Sequence, residues 1–251
     1  MWLKLNMKVK QGERIDSLLL EGMKIIQRSD QFCFSLDTIL LAHFGSRPRG
    51  PILDLGTGTA VIPLILAARG ATSIEAIEYN PIMADIAQRN VLLNQKESDI
   101  HIQKGDYRKL QAWYASGSFA MVYANPPYRE KSRGAYSQQA GIRRACHEET
   151  VTLEEVIKAA SFALKYGGYF RMVHITERLT DILALLRRYG IEPKRLQFVH
   201  SRLDKASKIF LMEGSRGGNP GLEILPPLVV HRDDGSYCDE ILSYYQGQGE
   251  M

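Results

Sequence analysis

The chain has 251 residues, 45% of them hydrophobic and 24% charged, with a net charge of +4. That is globular composition with core enough to fold without a disulfide or a metal, and a charge that permits a nucleic-acid partner without demanding one. Cys33, Cys146 and Cys238 are scattered and form no close pair, which argues against a secreted disulfide scaffold and against a zinc site, His147 beside Cys146 included. The longest apolar stretch, Ala60 to Ala68, is too short to span a bilayer. Lys4 and Lys8 interrupt any signal core, so a cytoplasmic protein is expected.

Residues 1–30 are weakly periodic and read as an N-terminal extension, with Ile15 to Leu20 either a strand or a short helix. Phe32 to Ala42 reads as a turn entering a helix. From Pro51 the pattern alternates. Pro51 to Leu55 is a short strand; Val61, Leu64, Ile65 and Ala68 recur at helical spacing, with Pro63 tolerated in the first turn and Gly70 as the stop. Ser73 to Glu78 is a second strand, followed by Asn80-Pro81 as an N-cap and first helical residue. Asp99 to Lys104 and Phe119 to Ala124 are the third and fourth strands. Thr152-Leu153-Glu154-Glu155 is a capping box opening a helix that Gly167-Gly168 is expected to close. Tyr169 to Ile175 follows as a strand, a helix starts at Thr176, and Leu196 to His200 and Lys208 to Met212 are two last core strands. Domain organisation is read as an extension over 1–30, a main domain over 31–214 and a tail over 215–251. In the tail, Leu225 to Arg232 followed by Asp233-Asp234-Gly235 suggests a hairpin.

Strand-helix alternation implies an α/β protein with a mostly parallel sheet covered on both faces. Ligands then sit beyond the carboxyl ends of the strands, and the conspicuous residues fall there. Asp54-Leu55-Gly56-Thr57-Gly58 links the first strand to its helix. The dinucleotide fingerprint needs a third small residue where this chain has Val61, and Asp54 would repel a pyrophosphate while attracting a cationic amino-acid group. Glu78, at the end of the second strand, can accept both hydroxyls of a ribose. Asp106, in Gly105-Asp106-Tyr107, can accept from an adenine amine. S-adenosylmethionine satisfies all three better than NAD or ATP. Singly, each acid has a plainer role as a cap, a solvated strand end or a turn former; it is their order on successive strand ends that points to a ligand.

The fourth strand ends in Asn125-Pro126-Pro127-Tyr128. Two prolines remove two backbone donors and stiffen the turn. The Asn125 oxygen and the carbonyls near Pro126 are left as acceptors, with Tyr128 as a flat face beside them: a place for a planar group bearing an NH2.

On this tetrapeptide the chain resembles the class I, Rossmann-like methyltransferases of the amino-methylating branch, marked by Asp/Asn-Pro-Pro-aromatic. More narrowly it resembles the bacterial tRNA1(Val) adenine-N6-methyltransferase family, through Phe34-Ser35-Leu36-Asp37-Thr38-Ile39-Leu40-Leu41, Ser207 to Gly214 and Pro226 to His231 as well. The resemblance implies a seven-stranded Rossmann-like sheet, S-adenosylmethionine as donor, no metal, and methylation of the adenosine at position 37 of a tRNA. Asn125, Pro126 and Tyr128 would be catalytic. Asp54, Gly56, Thr57, Gly58, Glu78, Asp106, Tyr107 and Asn125 would hold the donor, with Phe34 and Asp37 closing over it. Pro127, Tyr128, Arg129, Lys131, Arg143 and Arg144 would meet the substrate. A glutamine methyltransferase of proteins, an rRNA or DNA adenine methyltransferase, and a non-catalytic RNA-binding module are the alternatives. No obligate protein partner is evident, and Trp2 and Trp113 have no assigned role.

Overall fold

The computed structural model describes residues 9–18, 22–31, 33–128 and 151–245. It opens with an antiparallel hairpin, β1 (Glu13–Ser17) and β2 (Lys24–Arg28), in register Ile15 to Ile26. A short helix α1 (Leu36–His43) leads to β3 (Ile52–Leu55), α2 (Val61–Ala68), β4 (Ile74–Glu78), α3 (Pro81–Leu93) and β5 (Ile100–Lys104). A 3₁₀ turn (Tyr107–Ala112) precedes β6 (Phe119–Ala124). Then come α4 (Leu153–Ala163), β7 (Leu164–Ile175), α5 (Leu179–Arg188), β8 (Ile191–His200), β9 (Ile209–Arg216), the two-residue strands β10 (Glu223–Ile224) and β11 (Leu228–Val229), and α6 (Asp239–Tyr245).

The core of the main sheet is seven strands in the order β8-β9-β7-β6-β3-β4-β5, to which β10 and β11 add on the outer edge of β8. The pairs β5–β4, β4–β3, β3–β6 and β6–β7 are parallel, and β9 runs antiparallel between β7 and β8. The chain leaves β3 toward β4 and β5, then returns to β6 on the other side of β3. That reversal is the switch point at which a crevice opens beyond the strand ends. Strand side chains alternate between two cores: Ile52, Ile74, Met121 and Tyr123 lie on the face of α1 and α2, and Leu53, Ile77, Val122 and Phe170 on the face of α4 and α5.

Two local expectations are corrected. Gly167-Gly168 does not stop a helix, which already ends at Ala163. The glycines sit inside β7, where its pairing with β6 shifts from Phe119↔Leu164 to Met121↔Tyr169. A Cβ at Gly168 would lie 2.9 Å from the Lys165 carbonyl and 3.0 Å from that of Ala120, so the bulge requires glycine there. Of the segment read as a strand or a short helix, Ile15 to Ser17 are the end of β1, and residues 19 and 20 lie outside the described residues. The terminal hairpin reduces to one bridge, His231 to Tyr237, around the Asp233-Asp234-Gly235 turn. Pro226-Pro227 lack ladder donors, and the open edge of β8 takes up the flanking pieces in parallel instead.

The hairpin at the start is fastened to α3 by side-chain amides. Asn90 Oδ1 accepts from Ile26 N at 2.6 Å and its Nδ2 donates to Ile26 O at 3.1 Å and Thr59 O at 3.0 Å. Asn94 repeats this on Lys24, at 3.0 and 2.8 Å. Two amides one turn apart on a helix thus satisfy a strand edge that would otherwise be an aggregation liability. The Arg89 guanidinium adds a forked pair with the Glu13 carboxylate and holds its pKa below the usual range.

Candidate active site

Register brings the expected residues into one row. Leu55, the last residue of β3, pairs with Ile77 on one side and Ala124 on the other. Gly56, Glu78 and Asn125 therefore leave three adjacent strands at the same level. Gly56 and Gly58 have φ of +74° and +59°, and Ala60, the N-cap of α2, has +66°. The loop is a chain of left-handed turns that L side chains resist, pinned by Gly56 and Thr57 N–H groups donating to Ile77 O at 2.9 and 3.0 Å.

Asp54 is 1% exposed, and neither carboxylate oxygen finds a hydrogen bond; the buried Thr57 hydroxyl is likewise unpartnered. Burial pushes the Asp54 pKa up to about 7, and the Glu78 charge adds to the shift. A buried carboxylate without donors is costly, and a cationic amine is the group that would relieve it. Glu78 is held differently: Gly58 N donates to Oε2 and Asn80 N to Oε1, both at 2.8 Å. Asp106 caps the 3₁₀ turn through Arg108 N at 3.0 Å and grips the Arg108 guanidinium with both oxygens at 2.7–3.0 Å, which lowers its pKa. A ligand amine would have to share that carboxylate with Arg108. Tyr107 is buried beneath the glycine loop, and a Cβ at Gly56 would lie 3.7 Å from its ring. Trp113, to which the sequence assigns no role, lies over Gly105, where a Cβ would come within 2.3 Å of the indole.

On the other side of the row, Asn125 is half-buried, Pro126 buried and Pro127 exposed. Asn125 Nδ2 donates to Thr38 Oγ1 at 3.0 Å. The Tyr128 hydroxyl donates to the Asp37 carboxylate, and burial together with that charge raises its pKa. The Tyr128 ring lies 5.3 Å from the His174 ring at 57°. Asp37, expected beside the donor, thus meets the acceptor turn. Phe34 is partly buried against the core of the α1 face, its N–H on Gln27 Oε1 at 3.1 Å. Arg129, Lys131, Arg143 and Arg144 lie outside the described residues. Two residues went unnoticed in the sequence. His174, 2% exposed, is the second-last residue of β7, the strand beside β6, so a wider reading of the strand-end rule could have found it. Nothing in spacing links Thr38 to a residue far downstream.

The family model for the methyltransferase small domain matches residues 35–187, from α1 to α5. The chain belongs to that family. Within this methyltransferase family, it is 32% identical to the tRNA1(Val) (adenine(37)-N6)-methyltransferase of Porphyromonas gingivalis, over 81% of this chain and 83% of that protein. It is also 32% identical to the enzyme of the same name from Bacteroides thetaiotaomicron, over 83% and 88%. Among solved structures, the chain matches a predicted O-methyltransferase of Agrobacterium tumefaciens with a TM-score of 0.66 at 19% identity, covering 83% of this chain and 95% of that one. P. horikoshii TYW2 in complex with MeSAdo matches with a TM-score of 0.59 at 14% identity, over 83% and 73%. The fold is that of the methyltransferases, and the protein is an S-adenosylmethionine-dependent methyltransferase. Among the described residues no helix is long and apolar enough to cross a membrane.

Proposed function

We propose that this methyltransferase acts on the exocyclic N6 of an adenine in tRNA, with adenosine 37 of tRNA1(Val) as its target. The observation that carries the reading is the Asn125-Pro126-Pro127-Tyr128 turn standing level with Gly56 and Glu78 at the switch point of the sheet. The names of the relatives support the choice of nucleic acid. In the sequence, Arg129 and Lys131 follow the turn at once and Arg143 and Arg144 within sixteen residues, as suits a polyanionic substrate. Such a substrate puts the reaction in the cytoplasm.

The donor, when bound, supplies an electrophilic methyl group on a sulfonium. The orphaned Asp54 carboxylate and the Thr57 hydroxyl fit its amino-acid end, and Glu78 its ribose. The protein then has one difficulty to overcome: the lone pair of an aromatic amine is delocalised into the ring. Asn125 Oδ1 and the Pro126 carbonyl accept the two N6 hydrogens, draw the nitrogen toward tetrahedral geometry and stabilise the positive charge that grows on it. Preorganised groups of this kind contribute roughly 10²–10³ in rate each. The Tyr128 ring offers a stacking face worth about 1–3 kcal/mol, comparable with the cost of taking a base out of its stack. After transfer the nitrogen is acidic and releases its proton without a strong base.

The test is incubation with labelled donor and total tRNA lacking the modification, followed by nucleoside mass spectrometry. N6-methyladenosine in the tRNA1(Val) anticodon loop is the expected product. Label on a ring carbon, or on protein with tRNA unlabelled, refutes the assignment.

A further inference from the structure

The two side chains that define the acceptor turn are both held by consecutive residues of one helical turn. Asn125 Nδ2 donates to Thr38 Oγ1, and the Tyr128 hydroxyl donates to Asp37. Thr38 is 7% exposed and sits in the first turn of α1, an element that precedes the donor loop in the chain and contributes nothing to the strand-end row.

The chemistry makes this contact consequential. A primary amide is nearly symmetric in shape, and rotating its terminal group by half a turn exchanges an acceptor for two donors. With the oxygen facing the acceptor pocket, Asn125 draws on an N–H of the incoming amine. With the nitrogen facing it, two NH2 groups meet and both the hydrogen bond and the charge stabilisation are lost. Here the Thr38 hydroxyl accepts the Nδ2 hydrogen at 3.0 Å, so the amide is held by its nitrogen and Oδ1 is left free for an incoming N–H. Asp37, one residue earlier, fixes the tilt of the Tyr128 ring by holding its hydroxyl, while the His174 ring packs against it at 5.3 Å between centres.

We infer that Thr38 is a positioning residue for methyl transfer: its hydroxyl holds the Asn125 side chain by Nδ2, with Oδ1 left for the acceptor nitrogen, and with Asp37 it makes the first turn of α1 the template on which the acceptor turn is set. This rests on the proposed amine-methylating reaction of the same site, but the contact can be read without any substrate.

The experiment compares the wild type with Thr38→Val, which keeps the shape and removes the hydroxyl, and Thr38→Ser, which keeps the hydroxyl. Four quantities are measured: kcat and KM on tRNA, donor-product affinity by calorimetry, and exchange of the Asn125 side-chain NH2 with water by NMR, its resonance assigned by loss in Asn125→Asp. For Thr38→Val the expected result is a roughly ten- to hundredfold fall in kcat, donor affinity within threefold of wild type, and faster exchange of the Asn125 amide. Thr38→Ser should restore kcat and slow exchange. The inference is overturned by a kcat for Thr38→Val within twofold of wild type, by a Ser variant no better than Val, by donor affinity falling in step with kcat, or by exchange identical in all three proteins. If Thr38→Val does not fold, Thr38→Ala takes its place against Thr38→Ser under the same criteria. A wild type that leaves tRNA unmethylated refutes the substrate assignment instead, and the exchange comparison then decides the Thr38 contact alone.

Discussion

The Gly58 N–H donates to Glu78 Oε2 at 2.8 Å while the Asn80 N–H donates to Oε1 at 2.8 Å. One carboxylate thus ties the glycine loop after β3 to the start of α3, and any role toward a ribose is added to a structural one. In Glu78→Gln one of the two N–H groups would face an NH2. Hydrogen bonds to charged groups contribute about 1.5–3 kcal/mol each, so the variant should lose at least tenfold in donor affinity and also melt several degrees lower. Calorimetry on both axes tests this; an unchanged melting temperature would remove the loop-holding role.

Donor binding should depend on pH through Asp54. Its folded pKa of about 7 lies above the ordinary 3.8, so in the ligand-free protein this group contributes stability in full below about 4, and the contribution is lost as pH rises through 7. A cationic amine prefers the ionised form. Binding should therefore release a proton near pH 6, and affinity should rise between pH 6 and 8. Titration calorimetry in two buffers of different ionisation enthalpy reads the proton directly. Asp54→Asn should bind more weakly at pH 8 with no slope; a wild-type affinity flat with pH would sink the assignment.

Asn125→Ala should cut methyl transfer by a factor of about 10² or more, far beyond any loss of donor affinity. Stopped-flow transfer rates and equilibrium donor binding separate the two effects. Undiminished turnover would take Asn125 out of the chemistry.

Asn90→Ala strips the buried partner from both backbone groups of Ile26 and from the Thr59 carbonyl. Leaving such groups unsatisfied costs about 1–3 kcal/mol each, partly offset by water entering the gap. A loss of about 2–4 kcal/mol in urea unfolding is expected, with increased protease cutting in the N-terminal hairpin.

Arg171 is fully buried, paired with Glu213 at 2.6 Å and donating to Tyr123 Oη at 2.8 Å and Ser46 O at 2.9 Å. Glu213→Leu leaves that cation without its counter-charge and should cost about 3–5 kcal/mol. The double variant Glu213→Leu with Arg171→Met should be the more stable of the two. Equal losses would show that the cation is tolerated without its partner.

What could be read from the residues follows from range. Alternating and helical periodicity is local, so β3 to β6 and the helices between them emerged from the sequence with little error, as did the Thr152 capping box. The acceptor turn was visible because two successive prolines at a strand end, flanked by an amide and an aromatic, do little for packing. The Gly167-Gly168 bulge was misread because glycine marks a helix stop and a bulge alike. The tail was misread because its pairing depends on β8 having an open edge, which no property of residues 223–229 announces. Thr38 stayed hidden because its partner lies eighty-seven residues away, and a threonine in a first turn is an unremarked helix starter.

The far end of α1 carries a consequence of its own. His43, in its last turn, stacks on Tyr244 of α6 with ring centres 4.5 Å apart. A single eight-residue rod is thus clamped by the tail at its base and grips Asn125 and Tyr128 at its tip. Shortening the protein ahead of Asp239 would unseat that base, and the damage would register in turnover before it registered in solubility or expression yield.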